Sequence, residues 1–162
     1  ALAILTEEAL KIGGDGIYYA ALGGESYLYT DDEFEEFVKP NDLKVLNAAS
    51  GRSAFNILHM CKDRLNLNRY KDYPADVVNW GIYEQNPSLA EGKKIFGDRA
   101  ILGGLDDRAG VLVSGTEEEI RREVHRIIEE MGTTKFLLGA DCTLPTEIEF
   151  SRIRAAVQAA RE

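Results

Sequence analysis

The stretch FNILHMC at residues 55–61 begins as a short apolar run and ends in a histidine and a cysteine. Short, nearly continuous apolar runs are typical of parallel strands that are buried on both faces. Similar runs recur along the chain, separated by longer amphipathic stretches, which is the pattern of alternating strands and helices. The five predicted strands are Gly16 to Ala20, Phe55 to His59, Asp76 to Trp80, Ala100 to Gly103 and Lys135 to Gly139.

Five strand–helix units fit two α/β architectures. The first is the C-terminal part of a (β/α)8 TIM-type barrel, a fold that has about 250 residues when complete. The second is an open, doubly wound five-stranded sheet, which the length of 162 residues favours. In either case we predict a single α/β domain over residues 1–162. A piece of a barrel would have two unpaired sheet edges, through which we expect it to form homo-oligomers.

Two capping-box patterns predict where helices begin. Thr116 is followed three residues later by Glu119, and Thr30 in the same way by Glu33, so each pair can satisfy two backbone N–H groups at a helix start. Gly132 lies where the first of these helices should end. The predicted buried side chains are Ile120, Val124, Ile127, Ile128 and Met131 in one helix and Phe34, Phe37 and Val38 in the other.

The charge balance argues against two classes of partner. The chain has 28 aspartates and glutamates against 19 lysines and arginines, a net charge of -9, and no basic stripe. Nucleic acid and anionic membranes would therefore be repelled. No apolar run is long enough to span a membrane and the first residues lack the features of a signal peptide, so we expect a cytoplasmic protein. A start without methionine, inside a predicted helix, is consistent with a fragment.

His59 and Cys61 are candidates for a metal site. Side chains alternate along a strand, so these two point to the same face, at the carboxyl end where parallel sheets bind ligands. Cys142 follows the last predicted strand and should reach the same end. One imidazole and two thiolates are ligands that zinc favours, and three protein ligands leave a position open for substrate. The alternative is a hydrogen-bonded histidine and two small, buried cysteines.

Several segments of the chain resemble the uroporphyrinogen decarboxylase family. They are the strand motif Ile57–Cys61, the helix and turn Lys94–Gly97 and Ile101–Asp106, the helix start Val113–Ile120, and the last strand and loop Leu138–Pro145. Gly104 stands where the turn of this family usually has asparagine. The resemblance extends from about Glu7 onward and implies that the fold is the C-terminal part of the family's barrel.

Two branches of this family differ in the loop after the last strand. The decarboxylases place a histidine there, where this chain has Asp141 and Cys142. The methylcobalamin:coenzyme M methyltransferases instead carry His-x-Cys and a distant cysteine as zinc ligands, and His59, Cys61 and Cys142 match that pattern. The resemblance therefore implies a zinc-dependent methyltransferase that moves a methyl group from a methylated corrinoid to a zinc-bound thiol. Its partners would be the thiol substrate and a corrinoid or corrinoid protein.

Five further residues are candidates for supporting roles. Glu84 resembles the displaceable zinc ligand of the cobalamin-independent methionine synthases, or else belongs to a solvated loop. Asp141 could hydrogen-bond the zinc-binding histidine, as carboxylates often do, or be exposed. Gly103, Gly104 and Asp106 form a strand-end turn that is predicted to approach the cofactor, although glycines suit a tight turn equally well.

Two other functions remain open on the sequence alone. A uroporphyrinogen decarboxylase would need no metal, and the two cysteines argue against it. A catalytically silent, self-associating barrel fragment would lack the N-terminal strands of the barrel. Four tyrosines on and near the first strand could stack on a flat corrinoid or porphyrin ring, or belong to the core: Tyr18, Tyr19, Tyr27 and Tyr29.

Overall fold

Five parallel strands form a single sheet in the computed structural model, which describes residues 1–162. The strands are β1 (Tyr18–Ala21), β2 (Ile57–Met60), β3 (Val77–Trp80), β4 (Ala100–Leu105) and β5 (Phe136–Ala140). All five were predicted, and no observed bound differs from its prediction by more than two residues. Neighbours in the sheet follow the chain order β1-β2-β3-β4-β5.

Helices precede the sheet and connect its strands. They are α1 (Leu2–Lys11), α2 (Asp31–Glu33), a π-helical segment (Phe34–Val38), α3 (Lys39–Ala49), a 3-10 segment (Leu67–Tyr70), α4 (Leu89–Phe96), α5 (Val111–Ser114), α6 (Glu117–Met131) and α7 (Phe150–Ala159). None of these helices is both long and apolar enough to cross a membrane.

The strand order distinguishes between the two predicted architectures. A doubly wound sheet reverses its strand order at one point, whereas the strands of a barrel follow the chain. Right-handed crossovers between successive neighbours place all connecting helices on one face. The observed order therefore confirms five βα units of a barrel, and the open doubly wound alternative is wrong. The length of the chain favoured the doubly wound sheet. Length carries no information about strand order, however, so it could not distinguish between the two architectures.

The two faces of the sheet have different surroundings. Leu58, Val78 and Ile101 point towards the helices and are buried in the main apolar core. On the opposite face, Tyr18 is 53% exposed and Leu137 is 45% exposed. Residues that pair across parallel strands project to the same side, and the register places the two sets on opposite faces. The second face corresponds to the interior of a closed barrel.

Both predicted capping boxes are present, but one helix departs from its predicted face. α6 begins with the Thr116 and Glu119 capping box, buries four of the five predicted apolar residues and ends at Gly132, which has a φ of +76°. The fifth predicted residue, Ile128, is half-buried. The Thr30 capping box opens α2, after which Phe34 is buried. Phe37, predicted to be buried, is 58% exposed. The π-helical segment between α2 and α3 rotates the later side chains away from the α-helical spacing assumed in the prediction.

We propose that the exposed sheet face and the edge strands β1 and β5 associate in solution. Unpaired strand edges pair with other edges, and a lysine on an edge strand opposes that pairing. Light scattering of the 162-residue chain should therefore give a mass above that of a monomer, and Leu137→Lys should lower it. Asn68→Lys adds the same charge at an exposed position outside the sheet and should leave the mass unchanged. A monomeric parent chain at every concentration would contradict the proposal.

Candidate metal centre

Three potential metal ligands lie together at the carboxyl ends of the strands. His59 is on β2, Cys61 follows β2 directly, and Cys142 lies two residues beyond β5. The ligand atoms of all three are within 4.8 Å of one another. Sγ of Cys142 is 3.4 Å from Nε2 of His59 and 4.0 Å from Sγ of Cys61. The structure therefore brings together the His-x-Cys pair and the distant cysteine.

These distances fit a shared zinc ion. With zinc–sulfur bonds of about 2.3 Å, zinc–nitrogen bonds of about 2.0 Å and tetrahedral angles, sulfur atoms lie roughly 3.8 Å apart and sulfur and nitrogen roughly 3.6 Å apart. The observed 4.0 Å and 3.4 Å are close to these values. Both cysteines are free thiols, since a disulfide needs a sulfur–sulfur distance of about 2.05 Å. The donor set and its spacing can hold a metal such as zinc.

Burial sets the protonation of the ligands. It lowers the pKa of His59, so this imidazole is neutral near pH 7, as metal binding requires. Burial also raises the pKa of the Cys61 thiol, and the neighbouring sulfur of Cys142 raises it further. Without a metal, Cys61 is therefore protonated near neutral pH. A metal cation would have to displace that proton in order to bind.

A hydrogen-bonded asparagine holds the turn that carries Cys61. The turn contains Lys62 with a φ of +89°, a backbone conformation that residues other than glycine seldom adopt. Nδ2 of Asn86 donates to the carbonyls of Lys62 (2.9 Å) and Gly81 (2.7 Å), and its Oδ1 accepts from the N–H of Leu65 (2.7 Å). Asn86 therefore fixes the turn after β2 against the segment that follows β3.

Asp141 holds the second loop of the site and has no direct contact with His59. Its two oxygens accept from the N–H groups of Gly104 (2.8 Å) and Ile82 (2.6 Å), and only 1% of the residue is exposed. Burial raises the pKa of Asp141 to about 7. The predicted alternatives, a bond to His59 or an exposed position, are both wrong. Asn79 takes the predicted place, with its Oδ1 2.5 Å from Nδ1 of His59.

The turn that was predicted to approach a cofactor is occupied by the protein itself. Gly103 and Gly104 have φ values of +150° and +105°, which side chains disfavour. A Cβ atom on Gly104 would lie 3.0 Å from the side chain of Ile127, so α6 already fills that space. Oδ1 of Asp106 accepts from the N–H groups of Arg108 (2.8 Å) and Ala109 (3.1 Å). These contacts correspond to the tight-turn alternative.

Glu84 lies beside the cluster but is paired with a cation. Its Oε1 is 3.1 Å from Nε of Arg108, which also lies 3.5 Å from the buried carboxylate of Asp107. Glu84 does not belong to the group of three ligand atoms. Sequence reasoning did not find Asp107 or Arg108, although they directly follow the predicted turn, because the pairing of Arg108 with Glu84 joins two loops that are distant in the sequence.

Tyr18 and Asn79 complete the surroundings of His59. The ring of Tyr18 stacks on the imidazole with centroids 5.7 Å apart, and its hydroxyl donates to Oδ1 of Asn79 (2.7 Å). Burial raises the pKa of Tyr18 to about 12, so the hydroxyl stays protonated. Asn79 was missed in the sequence, although an amide within the apolar strand Val77–Trp80 was a usable signal.

A sheet ordered along the chain, with a cluster of one histidine and two cysteines at its carboxyl ends, defines part of an α/β barrel with a candidate metal centre. The chain belongs to the uroporphyrinogen decarboxylase family, whose sequence model, described as "Uroporphyrinogen decarboxylase (URO-D)", matches residues 2–162. Among solved structures it is similar to a methyltransferase from Methanosarcina mazei, with 21% identity and a TM-score of 0.80. The match covers 99% of this chain and 45% of that chain. No curated protein matches it.

The cluster of His59, Cys61 and Cys142 predicts that the purified protein contains zinc. Protein purified without a chelator should contain about one zinc ion per chain, because three zinc-type ligand atoms lie within 4.8 Å of one another. Cys61→Ser and Cys142→Ser should each lose it, as measured by plasma mass spectrometry. Ser53 lies near the opposite ends of the strands, so Ser53→Ala is the control and should keep the zinc. No zinc in the parent protein would contradict the assignment.

The pH dependence of zinc affinity follows from the raised pKa of Cys61. Because the thiol is protonated near neutral pH and binds the metal as a thiolate, each bound zinc releases a proton. The apparent affinity should rise with pH by about tenfold per unit for each released proton, until the pH exceeds the thiol pKa. Competition with a chromophoric chelator between about pH 6 and pH 8 measures this slope. A zinc affinity that does not change with pH would exclude binding that releases a thiol proton.

Glu84→Gln tests whether this carboxylate is also a ligand. Since its carboxylate is paired with Arg108 and such partly exposed pairs contribute about 1 kcal/mol or less, zinc affinity should change by less than about fivefold. The same chelator competition applies. A fall of a hundredfold or more would instead assign Glu84 to the metal, and Glu123→Gln, which removes another paired glutamate, provides the matched control.

Proposed function

We propose that this chain carries the metal site of a zinc-dependent methyltransferase that transfers a methyl group from a methylated corrinoid to a thiol. The observation that supports this proposal most directly is the convergence of His59, Cys61 and Cys142 on one point. The family membership and the likeness to part of a solved methyltransferase agree with it. The corrinoid, the thiol and any corrinoid protein are proposed partners.

The ligand set suits activation of a thiol. Zinc bound by one neutral imidazole and two thiolates would leave a position for the sulfur of the substrate and would lower the pKa of that thiol. The two protein thiolates balance the charge of the ion, so a substrate thiolate makes the site anionic overall and retains its nucleophilicity. His59 contributes no charge, because burial keeps its imidazole neutral.

The chemical balance of the proposed transfer is simple. The substrate thiol would release its proton to solvent, and its sulfur would form a bond to the methyl carbon. The electron pair of the broken cobalt–carbon bond would stay with the corrinoid. The residues of this chain hold the sulfur in place, while Tyr18, exposed on the inner face beside His59, offers an aromatic surface to the flat ring of the donor.

The family also contains decarboxylases, which are the second candidate. They are favoured by the description of the matching family. The loop after β5, however, has Asp141 and Cys142 where the decarboxylases that this chain resembles have histidine. Asp141 is buried and bonded to two backbone N–H groups, so it is not free to act on a substrate. A thiol-dependent reaction therefore suits these residues better.

A catalytically silent, self-associating fragment is the third candidate, and the exposed inner face of the sheet favours it. This chain spans 45% of the length of the solved methyltransferase that it matches. Addition of the remaining strands of a family barrel separates this candidate from the first. Methyl transfer that occurs only after this addition would support the silent fragment as the state of the isolated chain, whereas methyl transfer by the chain alone would support the first candidate.

Thiol binding gives the most direct test of the proposed function. Calorimetric titration of the zinc-loaded chain with a small thiol, in buffers of different ionisation enthalpy, should show release of about one proton per thiol bound. The apparent affinity should therefore rise with pH around neutrality. Addition of methylcobalamin should then produce the methyl thioether, detected by mass spectrometry, and Cys142→Ser should lower the rate at least about a hundredfold. Thiol binding without proton release would count against this mechanism.

A further inference from the structure

Asn79 occupies an unusual position for a polar residue. It lies in the apolar strand β3, pairs with His59 across the sheet and is completely buried. An asparagine amide has two N–H donors and an oxygen with two lone pairs. In this structure every one of these groups has a partner, so the orientation of the amide can be established from its surroundings.

Two backbone carbonyls fix which way the amide points. Nδ2 of Asn79 donates to the carbonyl oxygens of Leu102 (2.9 Å) and Ala140 (3.4 Å). A flipped amide would place its own oxygen against these two carbonyls, and oxygen atoms without hydrogen repel one another. The Oδ1 atom must therefore face the other side, where it lies near Tyr18 and His59.

The fixed oxygen determines which imidazole nitrogen carries the proton. Oδ1 can only accept, so Nδ1 of His59 must be the donor in their 2.5 Å contact. A neutral imidazole has a single N–H, which leaves Nε2 with a free lone pair. Nε2 is the atom that faces Sγ of Cys142, at 3.4 Å. We infer that Asn79 is a positioning residue that holds His59 as the Nδ1–H tautomer and so prepares Nε2 for the metal.

The choice of an amide has a further consequence for the site. Zinc-binding histidines commonly donate to a carboxylate, which adds negative charge behind the imidazole. Asn79 orients the ring without adding that charge, beside two cysteines that become thiolates when they bind a metal. The role inferred for Asn79 in metal binding rests on the proposed zinc site, but the tautomer of His59 is a property of the metal-free protein.

Nitrogen NMR of the metal-free chain tests the tautomer directly. The chain has only two histidines, so His125→Gln leaves the signals of His59 alone. At about pH 9 with a reductant, where an imidazole is neutral, the shifts should show a protonated Nδ1 and an unprotonated Nε2. A protonated Nε2, or an exchanging mixture, would overturn the inference. This outcome does not depend on whether the protein binds zinc, so it is separable from failure of the proposed function.

Two variants of Asn79 isolate the role of its oxygen. Asn79→Ala and Asn79→Asp both lose the amide N–H donors to Leu102 and Ala140, but only the aspartate keeps an oxygen facing His59. Its second oxygen faces the two carbonyls, which favours a protonated carboxyl that donates to one of them. The alanine variant should lose the tautomer preference and about 10- to 100-fold in zinc affinity, and the aspartate variant should retain the tautomer and bind zinc within about tenfold of the parent. Equal behaviour of the two variants would overturn the inference.

Tyr18 also donates to Oδ1 of Asn79, so its contribution to the tautomer of His59 needs a control. Tyr18→Phe removes the other donor to the same oxygen, and it should leave the tautomer unchanged; a change would assign the effect to Tyr18 and contradict the inference. If circular dichroism shows that Asn79→Ala does not fold, the NMR spectra of the parent chain and of the aspartate variant still test the tautomer of His59. Loss of the Nδ1–H tautomer in the aspartate variant would then show that the oxygen of residue 79 does not set it.

Discussion

The amide of Asn79 is a single buried contact that links all five strands of the sheet. Its side chain reaches Tyr18 on β1, His59 on β2, Leu102 on β4 and Ala140 at the end of β5, while it is itself part of β3. All five strands therefore meet at one buried group. A buried polar atom without a partner costs about 1 to 3 kcal/mol, so a shift of any strand would leave part of this amide unsatisfied.

The same principle extends to the loops that carry the sulfur ligands. Asn86 and Asp141 each bind backbone groups from two different segments, and these bonds fix the turns that contain Cys61 and Cys142. One of the turns includes a positive φ at Lys62, a conformation that is maintained only when surrounding contacts determine it. The geometry of the candidate metal centre therefore depends on these side-chain to backbone hydrogen bonds as well as on the cysteines themselves.

The sequence was sufficient for the parts of the structure that depend on local patterns. Apolar runs located all five strands, and alternation along a strand correctly paired His59 with Cys61. The sequence could not identify the hydrogen-bond partner of His59, because that contact depends on the register between β2 and β3, which no single strand encodes. The same limit applies to Asp141, where a carboxylate near zinc ligands suggested one hydrogen bond and the surrounding backbone provided others.

The candidate site combines acidic groups with the cation Arg108. Two thiolates near Glu84 and the buried Asp107 would repel one another strongly in a chain whose net charge is already -9, and Arg108 is the cation that pairs with both carboxylates. Burial therefore favours the protonated form of the Cys61 thiol, and a metal cation would have to replace that proton in order to bind. A neutral amide behind His59 keeps the charge of the site from becoming more negative still. A metal ion at this cluster would thus compete with the proton of Cys61, and the neutral amide of Asn79 would favour neither of them by charge.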